Sequence, residues 1–206
     1  MVKEGYWYGL PLALIAGGLF GARIYAPAVL FLAAALFVLN FFRDPERAVP
    51  DEPGAIVSPA DGRVVQIADE EFAGAPVRRL SIFMSPWNVH VNRAPVDGVL
   101  KRVSYTPGAF RVAYHPSASV ENEQNVFTIE SEQGIVHVKQ IAGALARRIV
   151  FWKRPGDRLL RGERVGLIKF GSRVDLLVEP GAEWRVKIGD HVRAGSSILG
   201  ITRPKA

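Results

Sequence analysis

The chain carries GDRLLRGERVGLI at residues 156–168 and GDHVRAGSSILGI at residues 189–201, the same pattern twice at an offset of 33 residues. Gly156 matches Gly189, Asp157 matches Asp190, Gly162 matches Gly195, and Leu159, Val165 and Ile168 meet Val192, Ile198 and Ile201. An Asp beside a Gly makes a turn by binding its own backbone, and the second Gly opens another turn ahead of an apolar strand. Each copy therefore reads as turn, short apolar contact, turn, strand. The sequence on either side has the same texture. Arg63–Ile67, Val77–Met84, Val99–Tyr105, Val126–Ile129, Ile135–Ile141, Val165–Phe170 and Arg173–Val178 are short, β-branched and often alternating, with Gly, Pro, Asp or Asn between them. No long 3.6-residue apolar stripe follows residue 44, and Ala142–Phe151 is open between a helical turn and a strand. The body is predicted to be mainly β.

The repeated half-motif resembles that of the lipoyl/biotinyl and barrel-sandwich folds, whose carrier members present a lysine at a hairpin tip between the halves. The loop here, Glu179-Pro180-Gly181-Ala182-Glu183, has no lysine, which argues against a carrier. The first 43 residues differ. They hold four charges (Lys3, Glu4, Arg23, Arg43) and two uncharged runs, Tyr6–Ala22 and Ile24–Phe42, of 17 and 19 residues. Such lengths lie at the lower edge of what crosses a hydrocarbon core of about 30 Å. A second apolar run directly behind the first is unlike a cleaved secretory signal. A retained, membrane-associated helical pair is predicted, joined near Gly21–Pro27, with Tyr6, Trp7, Tyr8, Phe41 and Phe42 at interface depth. Lys3, Arg43 and Arg47 at the mouth, against Arg23 at the tip, place the mouth in the cytoplasm. RDPERAVPDEPG (43–54) reads as a connector. The expected fold class is mainly β, a β-rich α+β chain with a barrel-sandwich, lipoyl-like body over 44–206 and an N-terminal apolar helical pair over 1–43.

Composition narrows the chemistry. Of 206 residues 49% are hydrophobic and 22% charged, so a core can be buried. The absence of cysteine excludes disulfide scaffolds, thiolate metal sites and cysteine nucleophiles. His90, His115, His137 and His191 are the four histidines, little material for a metal centre, and no metal is expected. The net charge of +6 suits nucleic acid, anionic lipid or an acidic small molecule alike. Nucleic acid is set aside because no recognised binding motif with interleaved aromatics is present. Arg147, Arg148, Lys153, Arg154 and Arg158 around Phe151 and Trp152 mix charge and ring in a way suited to anionic head groups.

Three short stretches could carry chemistry: SPADG (58–62), SPWNVHVNRAP (85–95) and FGSR (170–173). Each has an ordinary reading. Asp-Gly is a common turn, one histidine among apolar neighbours is usually structural, and Gly-Ser between strands is a bend. Together with their neighbours they are more specific. The ordered set FFRDPER (41–47), SPADG (58–62), MSPWNVHVNRAP (84–95), HPSASVENE (115–123), AGALARRI (142–149) and FGS (170–172) resembles the phosphatidylserine decarboxylase family, in its short bacterial and archaeal form, over nearly the whole chain.

That resemblance implies a proenzyme cleaving itself between Gly171 and Ser172, with Ser172 converted to a pyruvoyl group and no metal or diffusible cofactor. Asp61 matches the aspartate of the self-cleaving Asp–His–Ser set. Longer family members have two histidines three residues apart in the third segment and usually give the second the triad role; its equivalent here is Arg93. His90 takes the base role, because no other local residue accepts a proton near neutral pH, and His115 is the alternative. A serine hydroxyl needs such a base, and the aspartate would fix the imidazole tautomer. Asn92, Arg93 and His115 are candidate substrate-binding residues, Asn92 and Arg93 to hold a phosphate or carboxylate. The implied reaction is decarboxylation of phosphatidylserine to phosphatidylethanolamine at the cytoplasmic face of the cell membrane. The implied partners are the lipid substrate, the two cleaved chains held together, and a second copy in a homodimer. The competing reading is a non-catalytic, membrane-tethered barrel-sandwich adaptor. It explains the repeat and the leader but not the joint occurrence of SPADG, His90 and Gly171-Ser172.

Overall fold

A computed structural model describes residues 1–109, 121–132, 134–143, 148–169 and 172–202, and the chain divides into two compact units, Met1–Glu46 and Arg47–Ala206. The first is a helical hairpin of α1 (Lys3–Gly21) and α2 (Tyr25–Phe41). The chain reverses at Arg23, whose φ of 61° is left-handed. Small residues set the approach of the two helices. A Cβ on Gly9 would lie 2.6 Å from Leu39 Cδ2, and one on Gly5 2.8 Å from Phe42 Cβ, so glycine four residues apart makes room for α2. The outer surfaces stay apolar and exposed: Trp7, Leu14 and Leu30 are 78%, 76% and 72% accessible. Helices of 19 and 17 residues are about 28 and 26 Å long. Among the described residues no helix is long and apolar enough to cross a membrane.

The second unit is built of strands: β1 (Ala55–Val57), β2 (Gly62–Phe72), β3 (Ala75–Met84), β4 (Val91–Arg93), β5 (Gly98–Thr106), β6 (Gln124–Ser131), β7 (Gly134–Ala142), β8 (Ile149–Phe151), β9 (Arg158–Leu159), β10 (Arg164–Ile168), β11 (Ser172–Val178), β12 (Glu183–Trp184), β13 (His191–Val192) and β14 (Ile198–Ile201). Eight form one antiparallel sheet in the order β13-β2-β3-β11-β7-β6-β5-β9; β1-β14-β12 and β4-β10-β8 form two small ones. The mainly β expectation holds, and the open Ala142–Phe151 stretch ends in strand β8. Alternate residues of the large sheet, among them Leu80, Ile82, Phe127, Ile129, Val136, Val138, Val174 and Leu176, share one core with Ile56, Val165, Ile168 and Leu199 of the small sheets.

The echo read from sequence is half of a larger one. The quartet β13-β2-β3-β11 repeats as β9-β5-β6-β7, and the two quartets meet where β11 pairs with β7. Val64 donates its N–H to the Asp190 carbonyl, and Leu100 donates to that of Asp157, both at 2.9 Å. Both β2–β3 and β5–β6 carry a bulge just past those residues. Gly156, Gly162, Gly189 and Gly195 all have positive φ, at 98°, 79°, 103° and 74°, which is why each copy keeps two glycines. Pro59-Ala60-Asp61-Gly62 has its counterpart in Pro95-Val96-Asp97-Gly98. Asp61 Oδ1 accepts from Ala194 N at 2.7 Å, and Asp97 Oδ1 from Arg161 N at 2.9 Å, each tying its turn to the echo.

Candidate active site

Antiparallel alternation brings the scattered motifs to one end of the large sheet. β2 starts at Gly62, beside the end of β3 at Met84. Met84 lies opposite Ser172, the first residue of β11, and Ser172 lies opposite Ala142, the last of β7. β6 begins there too, with Gln124 opposite Ile141. Thus 58–62, 84–95, 121–123, 142–143 and 172 occupy neighbouring strand ends, although 110 residues separate Gly62 from Ser172. Backbone bonds lock them: Arg93 N donates to the Pro59 carbonyl at 2.9 Å, Ile168 N to that of His90 at 3.3 Å, and Ala142 N to that of Glu123 at 2.9 Å. In the other quartet the residue equivalent to Ser172 is Gly134, and Ser131–Gly134 simply turns β6 into β7. In this one the hairpin is opened, β3 runs on into the 85–90 loop, and Ser172 stands where the other half has a turn.

Ser172 is fully buried, and its Oγ donates to Met84 Sδ at 3.3 Å. A thioether is a weak acceptor, so the hydroxyl is not spent on a strong one. Asp61, 7% exposed, gives its second oxygen to Arg47 Nη2 at 2.8 Å. Among the described residues its carboxylate is shared by Arg47 and the Ala194 amide, not bonded to His90. His90 is 2% exposed, with Nδ1 3.0 Å from the Asn88 carbonyl. A carbonyl only accepts, so Nδ1 carries the proton in the neutral ring and Nε2 carries the lone pair. Arg93 is buried, and its Nη1 donates to the Gly162 carbonyl at 2.9 Å, bracing a turn of the echo. His115, Phe170, Gly171 and Arg147 lie outside the described residues, as do all of HPSAS and half of AGALARRI.

Asn92 is more informative than the sequence suggested. It is fully buried, and its Nδ2 reaches the Pro59 carbonyl at 3.4 Å and Met84 Sδ at 3.8 Å, the sulfur that Ser172 Oγ also touches. Its Oδ1 accepts from Gln140 Nε2 at 2.8 Å, and Gln140 Oε1 accepts from Asn125 Nδ2 at 2.8 Å. These amides are interlocked, so the Asn92 N–H groups are directed toward the Pro59 carbonyl and Met84, the residue whose sulfur Ser172 Oγ also meets. Gln140 and Asn125 were missed by the sequence reading, yet left a mark in it. Each is a polar residue at an inward position of an alternating strand, in register with Val136 and Val138 or with Phe127 and Ile129. Arg47, read from sequence as a charge at the hairpin mouth, also binds Asp61. No cluster of three or more metal-ligating side chains occurs among the described residues.

A buried serine thus stands at one end of a duplicated, curled β-sheet, with a histidine, an aspartate and a buried amide on adjoining segments. The family profile for phosphatidylserine decarboxylase matches residues 34–200. The chain is 48% identical over 201 residues to a phosphatidylserine decarboxylase proenzyme of Solibacter usitatus, covering 97% of this chain and 95% of that one. It is 47% identical over 205 residues to one of Salinibacter ruber (97% and 83% covered), and 42% identical over 202 residues to one of Burkholderia lata (97% and 94% covered). The chain belongs to the phosphatidylserine decarboxylase family.

Proposed function

We propose that this protein decarboxylates phosphatidylserine to phosphatidylethanolamine after cleaving itself between Gly171 and Ser172. The observation that carries the reading is the convergence at one sheet end of 58–62, 84–95, 121–123, 142–143 and residue 172, with Ser172 opening a strand paired on both sides. Such a residue keeps its place when the peptide bond before it is lost, which is what a prosthetic group made from Ser172 requires. Asn92 and Met84 would flank that group. A pyruvoyl group supplies an electrophilic ketone, an electron sink for the pair left by departing carbon dioxide. The rest is the chain's own work. His90 Nε2 takes the Ser172 proton, and Oγ attacks the preceding carbonyl, giving an ester. Elimination across Cα–Cβ of residue 172 releases residue 171 as a carboxylate, and hydrolysis of the dehydroalanine liberates ammonia. Asp61 holds the SPADG turn against Ala194 and Arg47, and so acts on the site by position.

The exposed apolar surface of the helical hairpin supports association with the cytoplasmic face of a membrane, where the lipid's acyl chains remain. Deleting residues 1–43 should leave self-cleavage intact and abolish co-flotation with vesicles; unchanged flotation would refute the membrane role. The decisive test of the reaction is intact mass. Wild type should yield pieces of 171 and 35 residues, whereas Ser172→Ala stays one 22.6 kDa chain without decarboxylase activity. A Ser172→Ala protein that still releases carbon dioxide from phosphatidylserine refutes the proposal.

A further inference from the structure

The internal repeat supplies its own control for reading a cavity. Beside the motif end of the sheet is a cavity of about 360 Å³ whose lining includes Arg63, Phe83, Ser85, Asn88, Ile188 and His191. Among the described residues none that lines it is acidic. The other quartet has an equivalent cavity, lined among others by Asp97, Glu130, Glu132 and Arg158. The register pairs them. Arg63 lies opposite Phe83 and His191, and Val99 lies opposite Glu130 and Arg158. Phe83 therefore stands where the other half has Glu130, Ser85 where it has Glu132, and Arg63 where it has Val99. One fold feature has been made twice, once acidic and once basic. The basic copy is the one beside Ser172.

Its donors are set in place. Arg63 Nε donates to the Gly189 carbonyl at 3.2 Å, which fixes the guanidinium over the cavity and leaves both Nη groups uncommitted among the described residues. Ser85 donates from both N and Oγ to Asn88 Oδ1, each at 2.8 Å, so the Asn88 amide cannot flip and its NH₂ is turned away from that turn. His191 adds a ring nitrogen, and Ile188, 60% exposed, adds an apolar wall. A fork of uncommitted guanidinium donors, an amide and an imidazole without a carboxylate suits a phosphodiester.

We propose that this cavity is the subsite for the phosphodiester of the phospholipid substrate, with Arg63 as its principal ligand and Asn88 and His191 as supporting donors. The assignment rests on the decarboxylase reading for the identity of the ligand. Reach agrees with it. In a phosphoserine diester the amine nitrogen and the phosphorus are four bonds apart, about 5 Å when extended. β2 lies two strand spacings from β11, about 10 Å, and an arginine side chain spans much of what remains. The register puts Arg63, Phe83 and Arg173 on the face of the sheet opposite Met84 and Ser172, so a head group held at residue 172 reaches the Arg63 guanidinium around the sheet end at Ser85.

The test uses the full-length, self-cleaved protein in detergent. Arg63→Ala should raise KM for dihexanoyl phosphatidylserine about 10- to 100-fold, with kcat within about threefold and cleavage at residue 172 complete. Arg63→Lys, which keeps charge but not the fork, should recover part of the loss, and Glu132→Gln in the twin cavity should change neither constant. By calorimetry glycerophosphoethanolamine should bind wild type and not Arg63→Ala, while ethanolamine, lacking the phosphate, should bind neither. Comparable heats with inorganic phosphate would assign the site to free anions and overturn the lipid subsite. An unchanged KM in Arg63→Ala also overturns it, with the decarboxylase reading intact. Arg63-dependent binding by a protein that releases no carbon dioxide would leave the phosphodiester site standing and remove the reaction.

Discussion

Replacing Gln140 by leucine isolates what the buried amide chain contributes. Gln140 is completely buried, donating to Asn92 Oδ1 and accepting from Asn125 Nδ2, both at 2.8 Å. Leucine nearly fills the volume but offers neither group, so one acceptor on Asn92 and one donor on Asn125 are left in the core. Asn92 is 0% and Asn125 3% exposed, so water does not rescue them in place. Each orphaned group costs about 1–3 kcal/mol, giving about 2–6 kcal/mol in all. For a chain of this size that lowers Tm by roughly 4–24 °C. The measurement is best made on a Ser172→Ala background, where every molecule is one uncut chain, by fluorescence-detected melting in detergent. Asn125→Leu alone orphans only Gln140 Oε1 and should cost about half as much. In the background with Ser172 intact, Gln140→Leu should also slow self-cleavage, because Asn92 is no longer held toward Met84, the residue against Ser172 Oγ. A Gln140→Leu protein within about 0.5 kcal/mol of its parent, the usual range of a neutral surface change, would refute the idea that these amides act as one network.

The repeat makes Asp61 and Asp97 a matched pair. Asp97→Ala removes a turn bond at an exposed site and should lower Tm slightly while cleavage runs to completion; Asp61→Ala also strands Arg47 and should slow cleavage at least about 100-fold, as read on a denaturing gel. His137 is a pH lever away from the site. Burial against Phe72 and Thr128 pushes its pKa below the usual histidine value, so between that lowered value and about 6.5 the folded protein holds fewer protons than the unfolded chain. Stability should therefore fall as pH drops below about 6.5, and His137→Gln should reduce the difference between urea midpoints measured at about pH 5 and about pH 7.5.

What the sequence disclosed, and what it hid, follows from the range of each interaction. The glycine pairs 156/162 and 189/195 were legible because a left-handed φ is a local demand met by one residue type. The helical pair was legible from two uncharged runs. The match between PADG at 59–62 and PVDG at 95–98 was equally present, but its meaning depends on Ala194 and Arg161, more than 60 residues away in each case. Arg47 was legible only as a charge near the hairpin mouth; its partner Asp61 is brought close by the fold. Gln140 and Asn125 broke an apolar alternation without saying to what end, since each needs the other and Asn92.

The duplicated sheet would also let a chain cut at the proposed position between 171 and 172 hold together. Ser172–Val178 is paired over all seven positions with β3 on one side and β7 on the other, and every residue of β11 is buried. The piece beginning at Ser172 further supplies β14, the middle strand of its small sheet, and β13, which closes one edge of the large one. Arg173 anchors the same strand on its other face, donating to Asp175 Oδ1 at 2.6 Å and to Ser81 Oγ at 2.7 Å. Release of the C-terminal piece would expose two ladders of backbone groups and a buried ion pair, each costly outside its setting. The proposed cleavage between 171 and 172 would leave the ladder from Arg173 to Val178 and the Arg173–Asp175 pair in place, because the cut falls before the first residue of β11. In the other quartet the same place is a tight turn at Gly134, where a cut would free a hairpin end and expose nothing new. A sheet end is thus a position where a peptide bond can be spent on chemistry at little cost to the fold, and the repeat shows the ordinary turn from which that position departs.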